Sequence, residues 1–96
     1  MPKGYCIAHL TVTDAANYPN YREAAGAAIA TYGGRFLVRA GQYELPEGGS
    51  HERHVILEFE SFEQAKKFYH SPEYQAAAKL RQATSDSTFV IVEGAA

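Results

Sequence analysis

The sequence predicts an α+β fold: a four-stranded sheet, antiparallel or mixed, with its helices on one face and the element order βαββαβ. Three observations predict it. Four segments alternate side chains with the period of two that a pleated strand imposes, and they are rich in β-branched and aromatic residues. The intervening segments repeat apolar residues at helical spacing. Glycine, proline and capping residues stand at the joints.

The first strand is predicted over Tyr5 to Thr13, with Cys6, Ala8, Leu10 and Val12 on one side and Tyr5, Ile7, His9 and Thr11 on the other. Asp14 to Asn17 reads as a turn with capping chemistry, and Pro19 fits a helix that starts near Asn17 or Tyr18. Tyr18, Tyr21, Arg22, Ala25, Ala28, Ile29 and Tyr32 then follow helical spacing. Gly33-Gly34 ends that helix, because glycine takes the left-handed terminal conformation at little cost. A second strand is predicted over Arg35 to Tyr43, with Phe36, Val38 and Ala40 opposing Leu37, Arg39 and Gly41. Leu45 to His51, with Pro46 and Gly48-Gly49, reads as a mobile hairpin connection.

The stretch from Arg53 to Gln75 sets the rest. Val55, Leu57 and Phe59 alternate with His54, Ile56 and Glu58, which suits a central strand. Ser61 stands at an N-cap position with Gln64 three residues on, and Phe62, Ala65, Phe68 and Tyr69 form an inward helix face. Ser71 caps again, with Pro72 at the first helical position, where its missing N–H costs nothing. A break between two helices is therefore expected, the second running on through Ala76, Leu80 and Ala83. Ser85-Asp86-Ser87 reads as a turn and Thr88 to Glu93 as the last strand. This order is the ferredoxin-like split βαβ pattern. Right-handed crossovers place strands one and three side by side at the centre, where a parallel pairing is expected.

Composition bounds the function. With 96 residues, one domain spanning 1–96 is expected, and the 46% hydrophobic and 21% charged content is that of an ordinary globular chain. The net charge is -2 and the nine Lys and Arg are scattered without a basic stripe, which argues against nucleic-acid binding. No apolar run approaches the roughly 20 residues that cross a membrane, and the first residues lack a signal-peptide pattern, so a cytoplasmic protein is expected. Cys6 is the single cysteine, which leaves no internal disulfide and no thiolate metal cluster within one chain. Both parities of the strands carry apolar residues, so the helix-free face of the sheet is ill suited to water. A second copy covering it, in a symmetric homodimer, is expected.

The segments YGGRFLVRAG, VILEFESFEQAKKFYHSPEYQ and SDSTFVIVEG resemble the uncharacterised bacterial proteins grouped as domain of unknown function 1330. The resemblance runs from Tyr5 to Gly94, and the SPEYQ segment after EF-x-S is its more specific part. It implies a dimeric α+β barrel, in which two ferredoxin-like subunits pair sheet to sheet, and it implies no settled activity. Relatives by fold include cofactor-free monooxygenases, isomerases and haem proteins, a weak guide to this chain's chemistry. The family often has Gly-Gly where this chain has Ala40-Gly41, a difference expected to alter only a strand end.

Three groups of residues are candidates for a site. His9, Arg39 and Glu58 each interrupt a mainly apolar strand, and with strand three between strands one and two, Glu58 is expected between His9 and Arg39. Such a set would orient a carboxylate- or carbonyl-bearing ligand or perform acid–base work. The competing reading is a structural charge network in which a buried Glu has found partners. Tyr69, His70, Tyr74 and Arg81 gather at the helix break, Tyr74 and Arg81 sharing a helix face, either around a pocket or as core aromatics with satisfied hydroxyls. Asp14, Tyr18 and Tyr21 combine a cap with a packed helix face and offer, at most, a pocket rim.

Other motifs are weaker. His51 and His54 match no HExxH helix and are expected to be solvated, with no metal. Gly48-Gly49 lacks the Lys and helix of a phosphate loop, no serine sits in a G-x-S-x-G elbow, and Cys6 reads as an inert buried thiol. The expected function is binding of a small polar or aromatic metabolite between sheet and helices, without a cofactor. The alternatives are a cofactor-free isomerase or monooxygenase using His9 or Glu58 as general base, and a non-catalytic regulatory or structural dimer.

Overall fold

Local chemistry decides where the helices begin and end. A computed structural model describes residues 2–96. Its elements are β1 (Gly4–Val12), α1 (Tyr18–Thr31), β2 (Arg35–Arg39), β3 (Arg53–Phe59), α2 (Phe62–Tyr69), α3 (Pro72–Thr84) and β4 (Ser85–Glu93). α1 carries Pro19 within its first turn, as its start requires. It closes with Gly33 at φ +75°, Gly33 donating to the Ala30 carbonyl at 3.2 Å and Gly34 to the Ile29 carbonyl at 2.9 Å. That is the Schellman pattern, which satisfies the last carbonyls of the helix.

The break between α2 and α3 is as expected. The Ser61 hydroxyl accepts from the Gln64 N–H at 3.1 Å and starts α2. The buried Ser71 hydroxyl donates to the Phe68 carbonyl at 2.7 Å and accepts from the Tyr74 N–H at 3.1 Å. One side chain thus closes the first helix and caps the second.

The strand order is β2-β3-β1-β4, and every neighbouring pair is antiparallel. The adjacency of strands one and three is as expected, and their parallel pairing is not. The crossover through α1 makes β2 run parallel to β1, and the hairpin connection reverses β3 against β2. β3, inserted between them, therefore lies antiparallel to β1.

Two boundaries and one strand register also differ from expectation. β2 stops at Arg39, because Ala40 turns into the left-handed region at φ +55°. The connection to β3 is correspondingly longer. β4 begins at Ser85 with no intervening turn: Thr84 and Ser85 hydroxyls, each donating at 2.6 Å, satisfy the Leu80 and Arg81 carbonyls, and the chain passes straight from helix to strand. The register difference is a bulge in β2 between Phe36 and Val38, with consequences for the site.

The core lies between the helices and one sheet face. Cys6, Ala8 and Leu10 of β1 and Leu57 and Phe59 of β3 point into it. Phe59 stacks on Phe68 at 4.8 Å between ring centroids, and Phe68 meets Tyr74 at 4.6 Å. Among the described residues, no helix lies over the opposite face, and Val38, Val90 and Val92 are exposed there. Among the described residues, no helix is long and apolar enough to cross a membrane.

Candidate functional site

Residues of alternate parity on β1 and β3, with Phe36 and Arg39 of β2, form the floor of a cleft that α1 roofs. The enclosed space within it is small, about 50 Å³, and reaches about 550 Å³ only when the open solvent at its mouth is counted. Tyr18, Tyr21, Phe36, Tyr74 and Phe89 supply aromatic walls, and Arg22, Arg39 and Arg53 supply the polar lining. Chain periodicity explains the set. Tyr18, Tyr21, Arg22 and Ala25 fall on one helix face, and Arg53 shares the parity of Val55 and Leu57 on β3.

At the inner end the Arg81 guanidinium donates to the Tyr74 hydroxyl at 2.6 Å, and Tyr74 and Tyr21 share a hydrogen bond of 2.9 Å. Arg81 also donates to Ser87 at 3.2 Å. Burial pushes the Tyr21 and Tyr74 hydroxyls above the usual tyrosine range, so both keep their protons at neutral pH. Burial likewise pushes the Cys6 thiol, at the cleft floor, up to about 12.

The arginines at the mouth lie against aromatic rings. Arg39 sits over Phe36 at 4.2 Å from the centroid, and Tyr18 lies near both Arg53, at 5.4 Å, and Arg22, at 6.0 Å. The ion pairs among the described residues are Arg35–Glu58 and Glu63–Lys66, and they involve none of these three.

The expected set of His9, Arg39 and Glu58 does not assemble. Strict alternation puts Arg39 on the face of Arg35 and Glu58. The bulge at Leu37 resets that parity: Arg35 pairs with Glu58, Val38 with Ile56 and Arg39 with Val55. Arg39 is thereby carried to the helix side, while Glu58 stays on the open face. There Glu58 accepts from Arg35 Nε at 2.8 Å and from the Tyr5 hydroxyl at 3.4 Å. His9, also on the open face, meets His54 with 2.8 Å between their Nδ1 atoms. One of those nitrogens must hold the proton and the other accept it.

His54 is therefore not a solvated histidine; it also packs against Tyr43 at 4.7 Å between rings, and His51 shares a 2.9 Å hydrogen bond with Thr11. No group of three or more metal-ligating side chains occurs among the described residues.

Of the remaining candidates, Tyr18 and Tyr74 line the cleft, and Arg81 stands behind Tyr74. Tyr69 packs on Tyr74 and Phe89, at 5.5 and 5.0 Å between centroids, without lining the cleft. His70 stays beside Tyr69. Asp14 closes the turn before α1, accepting from the Asn17 amide side chain at 2.9 Å, a bond that lowers its carboxyl below the ordinary range. Reading the sequence missed Arg22, Arg53, Phe36 and Phe89 as cleft residues. A signal existed for Arg53, a charge on the apolar parity of a strand; none existed for Phe89, whose place depends on the pairing of β4 with β1.

The fold and cleft place the chain in a class of small ferredoxin-like α+β proteins. It belongs to the family described as Domain of unknown function (DUF1330), whose model matches residues 3–95. Among solved structures, it is similar to a protein of unknown function from Rhodopseudomonas palustris, with 21% identity, a TM-score of 0.77, and coverage of 99% of this chain and 84% of that one. A dimeric protein of unknown function and ferredoxin-like fold from Bacteroides fragilis is 20% identical with a TM-score of 0.62, covering 95% of each chain. SnoaB, a cofactor-independent oxygenase from Streptomyces nogalater, is 14% identical with a TM-score of 0.67, covering 100% of this chain and 96% of that one. At these identities the likeness is one of fold. No curated protein matches the chain.

Proposed function

We propose that this protein binds a small molecule in the cleft between its sheet and helices. The observation that carries the reading is the cleft itself: concave, aromatic-walled, and furnished with a few convergent polar groups. Among the described residues, the lining contains no carboxylate or imidazole. Its buried thiol and its two buried tyrosine hydroxyls hold their protons at neutral pH, which favours binding over base catalysis there. His9 and Glu58, the bases that a cofactor-free reaction would use, lie on the other face of the sheet.

The test is a thermal-shift screen of a metabolite library followed by amide chemical-shift mapping, since a ligand of the native state raises its stability. A true ligand shifts the amides of Tyr18, Arg39, Val55 and Phe89. Shifts confined to Ile7, Ile56 and Val90 would overturn the cleft reading.

The working unit is a homodimer joined through the open sheet face. What supports it is the apolar content of that face, with Val38, Val90 and Val92 exposed beside Ile7 and Ile56, together with the description of the Bacteroides fragilis protein as dimeric. A single cysteine with a buried thiol accords with a reducing, cytoplasmic compartment.

A further inference from the structure

Resting on the binding role proposed above, we infer that the cleft takes a carboxylate with an aromatic or otherwise apolar body, its carboxylate held between Arg39 and Arg53. Four of the chain's five arginines surround this one cleft, three in its lining and Arg81 behind Tyr74, in a protein whose net charge is -2. Among the described residues, no acidic side chain lines it, and no ion pair neutralises the three lining guanidiniums.

Arg53 is the most telling of them. Its Nε is sealed from solvent and has no hydrogen-bond partner among the described residues. A buried donor on a cation is costly when left unsatisfied, and native proteins rarely leave one so. An anion in the cleft would satisfy it.

Geometry favours a carboxylate. Arg39 pairs with Val55, and Arg53 lies two residues along the same face of β3, so the two side chains start as diagonal neighbours, about 7–8 Å apart. Two long guanidiniums at that spacing bracket one planar anion, and the arginine fork suits a carboxylate. Arg22 adds positive charge from the α1 side of the mouth. The apolar body would lie among Tyr18, Phe36 and Phe89, and the Tyr21 hydroxyl offers a polar contact at the inner end. The bulge that carries Arg39 to the helix side is the feature that makes the site dibasic.

The test compares 2-naphthoate, its uncharged amide 2-naphthamide, and 2-naphthyl phosphate by isothermal titration calorimetry on the full chain. The acid should bind at least about tenfold more tightly than the amide, the margin that one charge-assisted hydrogen bond supplies. Arg53→Gln and Arg39→Gln should each remove that margin and leave the amide unaffected. Arg39 is exposed, so its variant reports on binding even if Arg53→Gln folds poorly. Equal binding of acid and amide overturns the anion assignment while leaving a binding cleft in place. An acid affinity unchanged by Arg39→Gln overturns it as well, and so does absence of binding by all three probes. Tighter binding of the phosphate than of the acid overturns the carboxylate in favour of a phosphorylated ligand.

Discussion

The two faces of this sheet are built from the same strands and differ in almost every physical respect. On the helix side, Cys6, Ala8, Leu10, Leu57 and Phe59 are buried, and the charges are arginines, Arg39 and Arg53 laid against aromatic rings at the mouth and Arg81 buried behind Tyr74. On the open side, a Tyr5–Glu58–Arg35 cluster and a His9–His54 pair sit among isoleucines and valines that no element covers. The difference teaches that strand parity sorts residues between a core with a cleft and a surface suited to a second copy. A single bulge suffices to move a charge from one to the other. Arg39 is the residue it moved.

The largest effect that would test this contrast is on the helix side. Phe68→Ala should cost roughly 3–5 kcal/mol in urea unfolding, because Phe68 is fully buried between Phe59 and Tyr74. The cost should not depend on protein concentration. A loss below about 1 kcal/mol would mean the aromatic core is not as described.

On the open side, the double variant Ile7→Lys, Val90→Lys should act through association. Ile7 and Val90 are register partners on β1 and β4, so two lysines there set like charges against a second copy, a penalty of several kcal/mol. Sedimentation should show a dimeric parent and a monomeric, folded variant. A parent that is monomeric at tens of micromolar would break the contrast on this side.

The buried Cys6 thiol gives the helix side a pH dependence. Its folded pKa, raised from 9.0 to about 12, means that the native state keeps a proton which the unfolded chain releases. The contribution is complete below pH 9 and is lost as pH rises from 9 toward 12, at up to about 1.4 kcal/mol per pH unit. Cys6→Ala should flatten the fall in urea midpoint between pH 9 and 10. Above pH 10, Tyr21 and Tyr74, raised in the same sense, should maintain the decline.

A smaller effect is expected at the helix break. Ser71→Ala removes the acceptor for the Tyr74 N–H and the donor to the Phe68 carbonyl, and should cost about 1–2 kcal/mol in denaturant unfolding. Smallest of all, Ala40→Gly should stabilise the protein by a few tenths to about 1 kcal/mol, since Ala40 holds φ +55°. A destabilising Ala40→Gly would mean that this end of β2 is not left-handed in solution.

Much of this was legible in the sequence because its determinants are local. Ser61 with Gln64, Ser71 with Pro72, and Gly33-Gly34 act within a few residues of themselves, and the helix limits they set match the structure. The two-sided apolar strands were equally plain, as were Tyr74 and Arg81 as partners on one helix face. The antiparallel direction of β3, the bulge at Leu37, the meeting of His9 with His54 and the convergence of Arg22, Arg39 and Arg53 were decided only by tertiary structure. Each depends on which residue of one strand faces which residue of another. The physical reason is that alternation along a strand has a period of two, so one inserted residue reverses every later assignment. Nothing within reach of Leu37 along its own chain announces that insertion, because the stretch of β3 it bulges against, Ile56 and Leu57, lies about twenty residues away.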